Sequence, residues 1–247
     1  MAGPSLPDGA VPSDGGPLAF VDDLDRPVLA DDDHHHLARV RRVRDGEALV
    51  LADGRGSWRP ARMAGATPEP VGEVVVAAPP APAIGVGFAL VKGSKPELAV
   101  QKLTELGVDR IVPFAAARSV VRWDAAKAAA AQVRLAKVAR EAAAQSRRPW
   151  LPEVAEVATF AVAAAEPGAA LAERGGEPVG LHHPFVLVGP EGGWSDDERD
   201  GRPHVALGPG VLRAETAAIV AGALLVALRA GVVSPGREAP RVSGRRS

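Results

Sequence analysis

Beyond residue 79 the sequence alternates between short apolar runs and longer helical patterns, and this alternation restricts the possible folds most. Residues 83–91 are typical of a strand, and the Ser94-Lys95-Pro96-Glu97 capping pattern then opens a helix that ends at Gly107. Further strands are predicted at 110–114, 185–188 and 205–207, and an Ala-rich helix over 124–145. Because strands that alternate with helices form helix-covered parallel sheets, we predict an α/β domain.

A proline-rich break separates this part from a smaller N-terminal one. Pro79, Pro80 and Pro82 can continue neither a helix nor a central strand. Before the break, apolar runs at 48–51 and 73–77 favour a small β-barrel or sheet, and a helix is predicted at 34–44. The predicted organisation is therefore a flexible leader (1–17), a small β domain (18–78), an α/β domain (79–234) and a flexible tail (235–247).

Composition excludes several kinds of site and location. The chain has no cysteine, which excludes disulfides, thiolate metal sites and cysteine nucleophiles. The first residues lack the basic and apolar regions of a signal peptide, and the apolar run 217–228 is shorter than the roughly 20 residues that cross a bilayer. The Asp-His cluster at 31–36 is consecutive, so its side chains do not converge on one ion. We expect a cytoplasmic protein without a membrane segment or a metal.

Charge is distributed unevenly along the chain. The net charge of the whole chain is -1, but residues 79–150 alone carry +7. A localised basic segment is typical of a nucleic-acid-binding surface, and solvated helix faces are an equally good explanation. The candidate basic residues of this segment are Lys92, Lys95, Lys102, Arg118, Arg122, Arg147 and Arg148.

A first glycine loop, residues 189–193, follows an apolar strand and precedes the capping pattern Ser195–Glu198. Ligands of open α/β sheets bind at such strand ends. The loop lacks the Lys-Ser/Thr of a phosphate-binding loop, and Glu191 and residues 196–198 are acidic, which disfavours an anion there. A neutral or cationic ligand such as S-adenosylmethionine fits better, and an ordinary tight turn is the alternative.

A second glycine loop, residues 207–210, follows another strand and leads through 211–216 into the apolar helix. Two such loops at neighbouring strand ends would form one pocket. Arg213 and Glu215 would lie beside that pocket, at the start of a helix that is otherwise almost uncharged. Their alternative role is an ion pair that caps the helix.

These motifs together resemble a known family. The sequence is similar, in order over about residues 34–231, to the ribosomal small-subunit uridine-N3 methyltransferases of the SPOUT superfamily. Ala117 and Arg147 depart from residues that this family often has. The matching motifs are Lys92–Lys95, Gln101–Gly107, Arg118–Val121, Gln145-Ser146, Gly189–Gly193, Leu207-Gly208 and Leu212–Thr216.

The resemblance implies an α/β fold in which a knotted, parallel-sheet SPOUT methyltransferase domain follows a small PUA-like β-barrel domain. It implies a homodimer that methylates N3 of a uridine in 16S rRNA, of the type that modifies uridine 1498, within the small ribosomal subunit. Two alternatives remain open: a related SPOUT enzyme that acts on another rRNA or tRNA site, and a non-enzymatic ribosome-binding factor.

The resemblance also implies roles for individual residues. Arg213 and Glu215 are the catalytic candidates. The residues expected to bind S-adenosylmethionine are Leu187, Gly189, Pro190, Glu191, Gly192, Gly193, Leu207, Gly208, Val211, Leu212 and Thr216. The residues expected to bind RNA are the seven basic residues of the 79–150 segment together with Arg39 and Arg42.

Overall fold

The computed structural model describes residues 11, 15–30, 37, 43–92 and 95–234. Most of the predicted leader, the whole predicted tail and the Asp-His cluster at 31–36 lie outside these residues. Most of the predicted helix at 34–44 also lies outside them, including Arg39 and Arg42.

The N-terminal part contains a five-stranded sheet within the described residues. The strand order is β1-β2-β3-β4, with β5 paired to β3. Strands β1 and β2 are parallel, and the other pairs are antiparallel. The strands are β1 (Leu18–Phe20), β2 (Ala48–Ala52), β3 (Ser57–Ala64), β4 (Thr67–Pro70) and β5 (Val75–Val76).

Both faces of strand β2 are buried. Leu49 and Leu51 pack in one apolar cluster with Met63, whereas Val50 packs in another with Trp58. This second cluster includes Ala143 of the C-terminal part, because one face of the small sheet lies against a helix there. Successive side chains of a strand point to opposite faces, which explains why the run 48–51 is continuously apolar.

The C-terminal part contains a seven-stranded sheet within the described residues, and all of its pairs are parallel. The order is β12-β10-β11-β6-β7-β8, with β9 paired to β7. This sheet confirms the predicted parallel α/β class. The strands are β6 (Gly85–Ala89), β7 (Arg110–Ala115), β8 (Glu153–Val154), β9 (Ala158–Thr159), β10 (Ala169–Pro178), β11 (Phe185–Val188) and β12 (His204–Ala206).

Five helices cover this sheet in the described ranges: α1 (Lys95–Leu106), α2 (Ala125–Gln145), α3 (Phe160–Ala163), α4 (Asp196–Arg199) and α5 (Ala214–Arg229). Helix α2 begins after Asp124, whose carboxylate accepts a hydrogen bond from the Lys127 backbone N–H (2.8 Å). Helices α1 and α5 approach closely at Gly222, where an added Cβ would lie 2.6 Å from Leu103 Cδ2. No helix in the described ranges is both long and apolar enough to cross a membrane.

The two parts contact each other through glycines of the N-terminal sheet. Gly54 and Gly56 have φ angles of +73° and +97°, and an added Cβ would lie 2.6 Å from Leu151 Cδ1 and 2.3 Å from Trp150 Cζ2 respectively. The Leu151 N–H donates to the Gly54 carbonyl (2.9 Å). Residues 54–56 are therefore a docking point between the two parts, where larger residues would not fit.

Candidate functional site

The two glycine loops line one cavity of about 420 Å³. The cavity lies at the carboxyl ends of β11 and β12, beside the middle of β10 and the start of α5, as the rule for open α/β sheets predicts. The predicted residues that line it are Gly189, Pro190, Glu191, Gly193, Leu207, Gly208, Val211, Leu212 and Arg213.

Three residues predicted to bind the cofactor lie elsewhere. Leu187 is fully buried within β11, in an apolar cluster with Phe114. Gly192 contacts Arg118, because an added Cβ would lie 3.2 Å from Arg118 Cβ and 3.3 Å from its carbonyl oxygen. Thr216 is exposed on the first turn of α5.

Trp194 borders the cavity and was not predicted. Its side chain is 3% exposed, and its indole N–H donates to the Ala172 carbonyl (3.1 Å). The indole stacks on Phe114 with 6.1 Å between the ring centroids and 4° between the planes. An added Cβ at Gly189 would lie 2.9 Å from the indole, so this glycine allows the loop to lie directly against Trp194.

Strand β10 forms a further wall of the cavity, which the sequence did not predict. Its pairing with β12 is interrupted between Ala172 and Glu177, and both Glu173 and Arg174 in this irregular stretch line the cavity. The Glu173 carboxylate lies 2.6 Å from Arg199 Nη2 and 3.6 Å from His204 Nδ1. These two side chains fix the carboxylate at the cavity wall.

Lys95 links the first glycine loop to the start of helix α5. Its Nζ lies 3.4 Å from Glu215 Oε1 and 3.9 Å from Glu191 Oε1. The Glu215 side chain is only 11% exposed, and its Oε2 is buried without a hydrogen-bond partner in the described ranges. Lys95 was expected to bind RNA, but it takes part in ion pairs beside the cavity.

Arg213 lines the cavity where helix α5 begins. It occupies the N-cap position of α5, makes no side-chain cap hydrogen bond, and is exposed. Within the described ranges it has no ion pair with Glu215, whose carboxylate pairs with Lys95 instead. The alternative in which Arg213 and Glu215 form a capping ion pair is therefore not supported.

Two of the predicted RNA-binding arginines have structural partners instead. Arg148 donates to the Thr104 carbonyl (2.6 Å) and lies 3.7 Å from Asp109, which also pairs with Arg229. Burial lowers the pKa of the Arg148 guanidinium, although the nearby Asp109 carboxylate opposes this change. Arg147 donates to the Gly16 carbonyl and so joins the two parts of the chain.

The remaining basic candidates differ in their surroundings. Lys102 pairs with Glu105 at 2.8 Å on helix α1. Lys92, Arg118 and Arg122 are exposed, and Arg118 Nη1 lies 3.4 Å from the Gly192 carbonyl. Arg118 is thus an exposed basic residue in contact with the first glycine loop.

Known proteins with similar sequences are RNA methyltransferases. The RNA methyltransferase domain model matches residues 79–226, and the RNA methyltransferase PUA domain model matches residues 29–71. The Ribosomal RNA small subunit methyltransferase E of Mycobacterium bovis is 35% identical over 225 residues, covering 78% of this chain and 83% of the relative. The protein of that name from Bacillus subtilis is 31% identical over 217 residues, covering 76% and 84%.

Solved structures show the same similarity. The Ribosomal RNA small subunit methyltransferase E of Neisseria gonorrhoeae, bound to S-adenosyl methionine, superposes with a TM-score of 0.71. The two sequences are 28% identical, and the match covers 86% of this chain and 98% of that one. The predicted PUA-like domain and parallel-sheet methyltransferase domain are both confirmed. The chain belongs to the ribosomal RNA small subunit methyltransferase E family.

Proposed function

We propose that this protein transfers a methyl group from S-adenosylmethionine to N3 of a uridine in 16S rRNA. The observation that carries this proposal is the cavity that both glycine loops and Arg213 line, with Lys95 paired to Glu191 of its lining and to Glu215. The family assignment supports rRNA of the small subunit as the substrate. The proposed target atom is N3 of the uracil, at a site of the uridine 1498 type.

The residues of the cavity fit S-adenosylmethionine. A volume of about 420 Å³ is in the range of small-molecule and cofactor sites. Glu173 and Glu191 line the cavity and would attract the sulfonium charge, while the backbone of the glycine loops offers hydrogen bonds for an adenine. The solved relative from Neisseria gonorrhoeae binds the same molecule. When bound, S-adenosylmethionine supplies an electrophilic methyl group.

The protein must then make uracil N3 a nucleophile. As the N3–H proton leaves, negative charge develops on the uracil oxygens O2 and O4, and the exposed Arg213 guanidinium would stabilise it. The Glu215 carboxylate, which pairs with Lys95, would accept the N3 proton, or the proton would pass directly to solvent. Lys95 would hold that carboxylate in place.

The rest of the proposed assembly follows from the family resemblance and from the surface. We propose a cytoplasmic homodimer, a knotted chain path around the two glycine loops, and domain limits at 18–78 and 79–234. The apolar residues of α5 that are only half-buried would contact the second copy. They are Ile219, Val220, Ala223, Leu224, Val226, Ala227 and Leu228.

The exposed side chains of Arg118 and Arg122 predict a salt-dependent RNA affinity. Replacing Arg118 and Arg122 together by glutamine should make the slope of log affinity against log salt shallower by about two units, because each phosphate contact contributes about one. Filter binding of a 16S rRNA transcript at several salt concentrations measures this slope. Arg148→Gln is the control, since Arg148 is buried against Asp109 and its loss should lower stability but not the slope. An unchanged slope in the double variant would show that neither arginine contacts an RNA phosphate.

The proposed reaction has a direct test. The purified protein, incubated with S-adenosylmethionine and a 16S rRNA transcript or isolated small subunits, should produce N3-methyluridine that mass spectrometry of the nucleosides detects. Ribosomal RNA from a strain that lacks the gene should lack this nucleoside at one position. A different methylated nucleoside, or methylation of tRNA only, would identify a related methyltransferase instead. No methylation and no cofactor binding would identify a non-enzymatic ribosome-binding factor.

A further inference from the structure

Glu198 is buried between two loops that are distant in sequence. Its side chain is on the short helix α4, and the residue is 5% exposed. One carboxylate oxygen, Oε2, accepts the Ser195 N–H (2.9 Å) and completes the capping box that the sequence predicts. The other oxygen, Oε1, accepts the Ala117 N–H (2.8 Å). The capping box explains only the first of these bonds.

The Ala117 bond reaches the loop that carries Arg118. We call residues 116–122 the arginine loop. It is closed by Ser119, whose Oγ accepts the Ala116 N–H (3.2 Å). A buried carboxylate that accepts two backbone N–H groups is stabilised by both, so losing either partner would leave the charge poorly compensated. Glu198 therefore fixes the arginine loop to the segment that follows the first glycine loop.

Direct packing joins the same two loops. An added Cβ at Gly192 would lie 3.2 Å from Arg118 Cβ, and Arg118 Nη1 lies 3.4 Å from the Gly192 carbonyl. Beneath them, Trp194 stacks on Phe114 of β7, the strand that leads into the arginine loop. The first glycine loop lines the cavity on one side and contacts the arginine loop on the other. A shift of either loop would thus be transmitted to the other.

From these contacts we infer that Glu198 is a positioning residue that couples cofactor binding to RNA binding. This inference depends on the proposed function. A cofactor in the cavity restricts the first glycine loop, and Glu198 passes this restriction to Arg118 at the RNA surface. RNA then binds to an arginine loop that is already ordered, which costs less conformational entropy. By linkage, RNA must increase cofactor affinity by the same factor.

The test measures RNA affinity with and without the cofactor product. Filter binding of a 16S rRNA transcript to the full-length protein should be about fivefold tighter or more when S-adenosylhomocysteine is saturating. In Glu198→Gln this ratio of affinities should fall close to one, because an amide cannot accept both N–H bonds. Ser195→Ala is the matched control. It removes only the cap hydroxyl of the same box and should keep the ratio.

Melting temperature is measured in parallel, because a purely structural role for Glu198 would lower stability without changing the ratio. If Glu198→Gln does not fold, Arg118→Ala provides the test, since Arg118 is exposed and the variant should fold. Its ratio of RNA affinities with and without S-adenosylhomocysteine should be close to one. If folded Glu198→Gln or Arg118→Ala kept the same ratio as the unmodified protein, the inference would be overturned. A ratio of one in an unmodified protein that binds both RNA and S-adenosylhomocysteine would also overturn the inference. The proposed function would still hold in that case. If the unmodified protein bound neither ligand, the proposed function itself would be wrong.

Discussion

Replacing Arg213 by alanine is expected to slow N3-methyluridine formation by about 100-fold or more, the loss typical when one donor to a developing negative charge is removed. Cofactor affinity should stay nearly normal, because an interaction made only in the transition state does not contribute to ground-state binding. Stability should also be little changed, since Arg213 is exposed and makes no cap hydrogen bond to α5. Single-turnover rates, cofactor titration and thermal melting measure the three quantities.

Two further variants make this test specific. Arg213→Lys keeps a positive charge but loses the planar guanidinium, so it should recover part of the rate. Glu215→Gln should also slow the reaction, although through loss of the proposed proton acceptor. An Arg213→Ala protein that melts at a lower temperature but turns over at the normal rate would contradict the catalytic assignment.

Replacing Gly210 by tryptophan is expected to weaken S-adenosylmethionine binding by about 10- to 100-fold, because a large side chain would compete for the cavity and overpacking typically costs 1–3 kcal/mol. Gly210 lines the cavity, and an added Cβ there would meet no other atom within 4 Å. Among the glycines of the described ranges that have such space, it is the one without a left-handed φ angle. The fold should therefore tolerate the change. Isothermal titration with S-adenosylmethionine measures the affinity.

A tryptophan far from the cavity provides the control. Val133 is 74% exposed on helix α2, so Val133→Trp adds the same indole to the surface and should leave cofactor affinity unchanged. Equal affinities in folded Gly210→Trp and Val133→Trp would show that the cavity is not the cofactor site. Gly192→Val is a less specific test of the cavity, because an added side chain there would meet Arg118 rather than the cavity.

The sequence by itself determined the α/β class of the C-terminal part and the positions of several of its strands and helices. The apolar run 185–188 corresponds to β11, and the predicted helix 124–145 corresponds to α2 within one residue. The capping pattern Ser195–Glu198 forms as predicted. These features depend on local periodicity and on residues three or four positions apart, which is why a pattern in the sequence reports them.

Strand β10 was missed for a physical reason. Its sequence, AALAERGGEP, begins with small apolar residues and continues with charges and two glycines, which do not give a period-two pattern. The strand exists because β11 and β12 pair on its two sides. Glu173 and Arg174 reach the cavity wall for the same reason, so neither was predicted as a site residue.

The partners of charged side chains were decided only by the tertiary structure. The sequence placed Lys95 and Arg148 in one basic segment, whereas Lys95 pairs with Glu215 and Arg148 packs beside Asp109. Glu198 likewise accepts a bond from Ala117, which is 81 residues earlier in the chain. Local patterns determine where a helix, a strand or a glycine loop forms. Contacts between residues far apart in sequence depend on how those elements pack, and they decide which charges are neutralised and which remain exposed to bind a substrate.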